Sequence, residues 1–85
     1  MQGNEDIKFP LYRKYKNNKR FYKIISKREF VEIQQIGQKL IQNTIIANQF
    51  PEMMFISDLI NNYSEFAEAM PEEEFTMLCS KISNP

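Results

Sequence analysis

Apolar and polar positions change rhythm along this chain, and each rhythm predicts a different element. Between Lys8 and Arg28 aromatic and aliphatic residues are interleaved with lysine and arginine, and Asn17-Asn18 divides LYRKYK from KRFYKI. Such interleaving fits a basic, aromatic pair of strands, neither of whose faces is cleanly apolar. Asparagine accepts positive φ more readily than other residues bearing a Cβ, which suits the Asn pair to a tight turn. The expectation is a β-hairpin with strands at Leu11–Lys16 and Arg20–Ile25. A two-residue loop sets Lys16 opposite Lys19, a like-charge pair. A three-residue loop instead pairs Tyr15 with Phe21, Tyr12 with Ile24 and Leu11 with Ile25, and cross-strand packing prefers it. Leu11, Tyr15, Phe21 and Ile25 then share one face.

Downstream the period lengthens. Ser26-Lys27-Arg28-Glu29 has the form of a capping box, Phe30, Ile33 and Ile36 follow at helical spacing, and Gly37 stands where a left-handed residue ends a helix. A helix is therefore expected over Lys27–Ile36, with a strand through FVEI as the rival, because short apolar runs do not separate the two. Residues 38–49 are rich in β-branched side chains and predict a third strand whose mixed apolar content places it inside the sheet. After Pro51, Phe55, Ile56, Leu59, Ile60, Tyr63, Phe66, Ala67 and Met70 recur at three and four, predicting a helix to about Ala69 unless Asn61–Ser64 breaks it. Pro71 opens a last helix. Glu72, Glu73 and Glu74 fill its first turn, Phe75, Leu78, Cys79 and Ile82 form its buried stripe, and Asn84-Pro85 ends it.

The expected order is β-β-α-β-α-α. That is an α+β fold in which helices pack on a small three-stranded antiparallel sheet; the alternative is a four-stranded meander followed by two helices. The whole chain, 1–85, reads as a single domain with residues 1–7 a frayed terminus.

Composition narrows the chemistry. There is no His and a single Cys, Cys79, so His-based triads, His/Cys zinc sites and an internal disulfide are excluded. The only glycines are Gly3 and Gly37, which excludes phosphate-binding glycine loops and dinucleotide fingerprints. Glu72–Glu74 is a run of acids that point different ways from one helix turn, so helix-start electrostatics explains it better than a metal or acid/base site. Glu29, Glu32 and Asp58 have no Ser, Cys or His at a catalytic spacing. Cys79 in an apolar stripe reads as a buried inert thiol, and Met53, Met54, Met70 and Met77 as core filling. The expectation is a non-enzymatic protein without cofactor or metal. No apolar run reaches the ~18 residues that span a bilayer, so no membrane is expected and a cytoplasmic location is the default reading.

Formal net charge is zero, yet residues 1–39 carry ten basic against four acidic side chains, and residues 40–85 one basic against seven acidic. Such a split steers a partner, or is satisfied inside the fold or between identical subunits. The stretch with most partner-binding character is the hairpin: Tyr12, Arg13, Lys14, Tyr15, Lys16, Lys19, Arg20, Tyr22 and Lys23. Cations with interleaved aromatic rings serve single-stranded nucleic acid or another polyanion, whereas the same pattern serves equally as a sheet face on which Lys and Arg stems cover aromatic rings. The favoured expectation is a protein-interaction module with a protein partner, a second copy in a homodimer included. Polyanion binding through 11–25 is the alternative. No motif carries a specific resemblance to a family.

Overall fold

The computed structural model describes residues 7–82. Strands β1 (Leu11–Tyr15), β2 (Arg20–Ser26), β3 (Glu29–Ile36) and β4 (Lys39–Ile46) form a meander, followed by α1 (Phe50–Asn61), the short β5 (Ala67–Ala69) and α2 (Glu72–Ser80). All pairings are antiparallel, and the strands lie side by side in the order β4-β3-β2-β1-β5. The chain is α+β, but the expected three-stranded sheet is overturned by a sheet of five. The meander alternative is overturned as well, because β5 returns between the two helices and pairs with β1. The frayed terminus expected at 1–7, Ile7 apart, and the Asn84-Pro85 helix stop lie outside the described residues.

The helix expected at Lys27–Ile36 is a strand. Ser26 does use its side chain, but to close a turn: its Oγ accepts the Arg28 N–H at 3.1 Å, and Glu29 enters β3. Phe30 faces a core that includes α1, while Val31 and Ile33 face a second core that includes α2. A strand buried on both faces loses its two-residue alternation, and the i, i+3 spacing left behind imitates a helix. Gly37, at φ +61°, turns the β3–β4 hairpin instead of capping a helix.

The sheet is thus a shared wall. On one side Tyr22, Ile24 and Phe30 pack with Ile56 and Leu59 of α1; on the other Phe21, Val31 and Ile33 pack with Met70 and Phe75, the latter from α2. Aromatic rings tile the first core: Tyr22 meets Tyr15, Phe30 and Phe55 at centroid distances of 5.4, 5.9 and 5.4 Å.

The hairpin register differs from the preferred one. Leu11 opposes Ile24, Arg13 opposes Tyr22 and Lys14 opposes Phe21, so Leu11, Arg13, Tyr15, Tyr22 and Ile24 share the α1 face. The like-charge objection disappears because Lys16 and Lys19 lie beyond the paired strands, both exposed. The turn is held by Asn18 at φ +60°, by its N–H on the Tyr15 carbonyl at 2.9 Å, and by Asn17 Oδ1 accepting the Lys19 N–H at 2.9 Å.

The long helix expected from Pro51 to Ala69 stops at Asn61. A further turn would need the Leu59 carbonyl to accept from Tyr63, but Arg13 Nε takes that carbonyl at 2.9 Å. The chain turns through Tyr63, whose carbonyl accepts the Phe66 and Ala67 N–H groups, and runs into β5. The strand expected at 38–49 exists as β4, but not inside the sheet: it pairs with β3 alone and forms the outer edge.

Candidate functional site

The basic aromatic hairpin supplies the candidate binding residues, and the fold scatters them. Tyr12 turns to the α2 side, its ring 5.5 Å from Phe75. Tyr15 lies between Tyr22 and Phe66, with centroids at 5.4 and 5.6 Å. Tyr22 is buried, and its hydroxyl donates to Glu32 Oε2 at 2.8 Å. Burial first, then hydrogen bonding with Tyr15 and Glu32, holds this phenol protonated well above the ordinary tyrosine range. None of these rings is a free stacking platform.

The cations are also partly committed. Arg13 is 8 % exposed, with Nε on the Leu59 carbonyl, Nη1 on the Tyr12 carbonyl at 3.0 Å and its Cζ 4.0 Å from the Tyr63 ring centre. It acts as a C-terminal cap for α1, which has no basic residue in its own last turn. Burial pulls its pKa below the usual arginine value. Lys14 Nζ donates to Glu74 Oε2 of α2 at 2.9 Å, and this bond is the main cause of its raised pKa. Arg20 Nη1 donates to Glu32 Oε2 at 3.1 Å. Lys23 is half-buried on the α2 face, and only Lys16 and Lys19 at the turn stand fully out. The hairpin therefore brings its predicted residues together as architecture: the carboxylates it meets belong to β3 and α2, and its rings belong to the two cores.

One concavity of about 460 Å³ runs beside α1 between Met53, Ile56, Ile60, Lys27 and Arg28. It has no Tyr or Glu wall and no convergent acid and base. Among the described residues no group of three or more His, Cys, Asp or Glu is placed to hold a metal ion, and no helix is long and apolar enough to cross a membrane. Cys79 is half-buried beside the α2 core, not fully enclosed.

The outer edge of the sheet, formed by β4, is a further candidate surface. Residues 40–51, LIQNTIIANQFP, contain no charged side chain, and eight residues of β4 run along the sheet with one neighbour. The Ala47 N–H donates to the Arg28 carbonyl at 2.7 Å. In an antiparallel ladder alternate residues turn both backbone groups to the same side. Ile45, Asn43 and Ile41 therefore face β3, while Leu40, Gln42, Thr44 and Ile46 present their N–H and C=O groups to the open side. Ile41 and Ile46 are 41 % and 50 % exposed, Ile36 on β3 is 52 % exposed, and Phe50 just beyond β4 is 71 % exposed. The opposite edge differs: β5 has three residues, includes Glu68, and is closed by Pro71. Short edges, charge and proline are the usual protection against strand pairing, and β4 has none of them between Leu40 and Ile46. Its signal in the sequence is the long uncharged run itself, because β-branched content alone does not separate an edge strand from an inner one.

Compared with known proteins, the chain matches no family model, no curated protein and no solved structure.

Proposed function

We propose that this protein is a non-enzymatic interaction module that takes an extended partner strand along the free edge of β4. The observation that carries the reading is that edge itself: unpaired backbone groups at Leu40, Gln42, Thr44 and Ile46, no charge between 40 and 51, and exposed isoleucine on either side of the strand. Strand addition draws affinity from main-chain hydrogen bonds and specificity from alternate side chains. The partner is a protein, since an edge without charge lacks the cations that hold a polyanion. The polyanion alternative lacks comparable support, because Lys14 and Arg20 are paired with Glu74 and Glu32 and the hairpin rings are packed.

The test uses a substitution that spares the fold. Thr44 turns its N–H outward, so Thr44→Pro removes an edge donor and leaves the β3 ladder intact, whereas Asn43→Pro breaks that ladder. Selection of a displayed peptide library against the wild-type chain should enrich extended sequences that Thr44→Pro no longer binds. If no peptide is enriched and the chain does not associate with itself, the reading falls.

A further inference from the structure

The β4 edge has an internal symmetry that identifies its partner. Leu40-Ile41-Gln42-Asn43-Thr44-Ile45-Ile46 reads the same in both directions by class: two aliphatic residues, three polar, two aliphatic, centred on Asn43. We infer that the strand docking on β4 is the β4 of a second copy, antiparallel and centred on Asn43, so that two sheets join across a two-fold axis. This rests on the strand-addition reading and names its occupant.

Symmetry leaves few registers. A two-fold axis that continues an antiparallel sheet stands perpendicular to it and keeps each face on its own side. A residue can then oppose only residues whose side chains point the same way, so the axis passes through one residue position. With the axis at Asn43, Leu40 opposes Ile46 of the second copy, Ile41 opposes Ile45, Gln42 opposes Thr44, and the two Asn43 side chains meet. The outward backbone groups of Leu40, Gln42, Thr44 and Ile46 fall opposite one another and pair completely. An axis at Gln42 sets Leu40 against Thr44 and Ile41 against Asn43. An axis at Thr44 sets Gln42 against Ile46 and Asn43 against Ile45. Both bury polar side chains against aliphatic ones.

Charge agrees with the same register. An isologous contact brings a residue near the axis up against its own copy, so a charge there repels itself; β4 carries none until Lys39. In the Asn43 register Lys39 lies opposite Ala47 of the second copy. The next residue, Asn48, donates its N–H to Glu52 Oε1 at 3.1 Å. Each end of the joined strands therefore places a lysine beside the other copy's Glu52 carboxylate, at the start of α1.

Light scattering across a concentration series should show a dimer that high salt weakens only severalfold, since its centre is uncharged and only the Lys39–Glu52 contacts at its two ends are screened. Thr44→Pro should give a folded monomer. In a Cys79→Ser background, Asn43→Cys should cross-link to its own copy under mild oxidation. It occupies a non-hydrogen-bonded pair with Cα atoms ~4.5 Å apart, within disulfide reach. Gln42→Cys should not cross-link, because its copies are displaced by two residues along the strands as well as one strand across, and that diagonal takes their Cα atoms beyond the ~7 Å limit. Lys39→Glu should weaken association by roughly threefold to tenfold, and Glu52→Lys in the same chain should restore it.

A dimer that survives Thr44→Pro, or in which Asn43→Cys does not cross-link, overturns the β4 pairing. A chain that is monomeric at ~1 mM concentration, weaker than any Kd that counts as specific here, overturns the second copy as occupant. The strand-addition reading then stands or falls on the displayed peptides alone.

Discussion

Arg13 looks like any other member of a basic strand, and the fold makes it the least available cation of the hairpin. Its guanidinium has no carboxylate partner among the described residues; the carbonyls of Leu59 and Tyr12 and the ring of Tyr63 replace its water. A buried charge held this way is costly to disturb, because truncation leaves the Leu59 carbonyl unsatisfied where α1 ends. Arg13→Met should destabilise the chain by about 2–4 kcal/mol in urea unfolding. Arg13→Lys should cost more than half as much, since an ammonium cannot reproduce the planar fork. A loss under ~1 kcal/mol for Arg13→Met would place it among ordinary surface changes and sink the structural role. Tyr22 yields a pH prediction. Its folded-state pKa lies above the ordinary 10.0, so the folded chain binds a proton that the unfolded chain releases. The stability this contributes is fully present below pH 10 and declines as pH rises beyond it. In a titration followed by phenolate absorbance, the Tyr22 signal should appear only with loss of the folded circular dichroism. A titration of all four tyrosines in the intact fold would contradict the buried Tyr22–Glu32 bond.

At the scale of the element, how much could be read depended on how many faces are covered. The hairpin at 11–25 and the helices after Pro51 and Pro71 are legible because proline, the Asn pair and clear stripes punctuate them. β3 is illegible as a strand for a physical reason: with α1 on one side and α2 on the other, Phe30, Val31 and Ile33 are all buried, and burial on both faces erases alternation. The end of α1 is illegible for another, since Arg13, forty-six residues earlier, takes the Leu59 carbonyl. The site is illegible because edge position is a property of strand order, and no local pattern in LIQNTII states that nothing lies beside it. Gly37 fixes the hairpin that holds β4 in place. Its φ of +61° is strained for a side chain, yet a Cβ there meets nothing within 4 Å. Gly37→Ala should therefore cost about 1 kcal/mol from backbone conformation alone, and Gly37→Asn less. A loss of several kcal/mol for Gly37→Ala would mean a close packing contact that the open space around this glycine does not contain.

For the whole molecule the question is where the opposed charges of the two halves are spent. Part of the answer is internal. Lys14 of β1 reaches Glu74 of α2, which ties the basic half to the acidic half, and Arg20 is matched by Glu32 within the basic half. The cations still fully exposed on the hairpin fall into two groups, Lys16 and Lys19 at the turn and Lys8, Lys27 and Arg28 at the far end. They are separated by the length of β1, roughly 16 Å at the usual rise per strand residue. A single-stranded polyanion needs a continuous cationic track with open rings, and the rings between these groups are packed. Lys14→Glu with Arg20→Glu should then act on the fold and not on a ligand. Each substitution sets a glutamate against an existing one, with an expected loss of about 1–2 kcal/mol in urea unfolding. A labelled mixed-sequence oligonucleotide at low salt should show no anisotropy change with either chain. The contrary result is specific: binding by wild type that weakens steeply with salt and vanishes in a double variant of unchanged stability. That outcome would return the hairpin to the role its sequence advertises, and would leave the β4 edge as a surface awaiting a separate explanation.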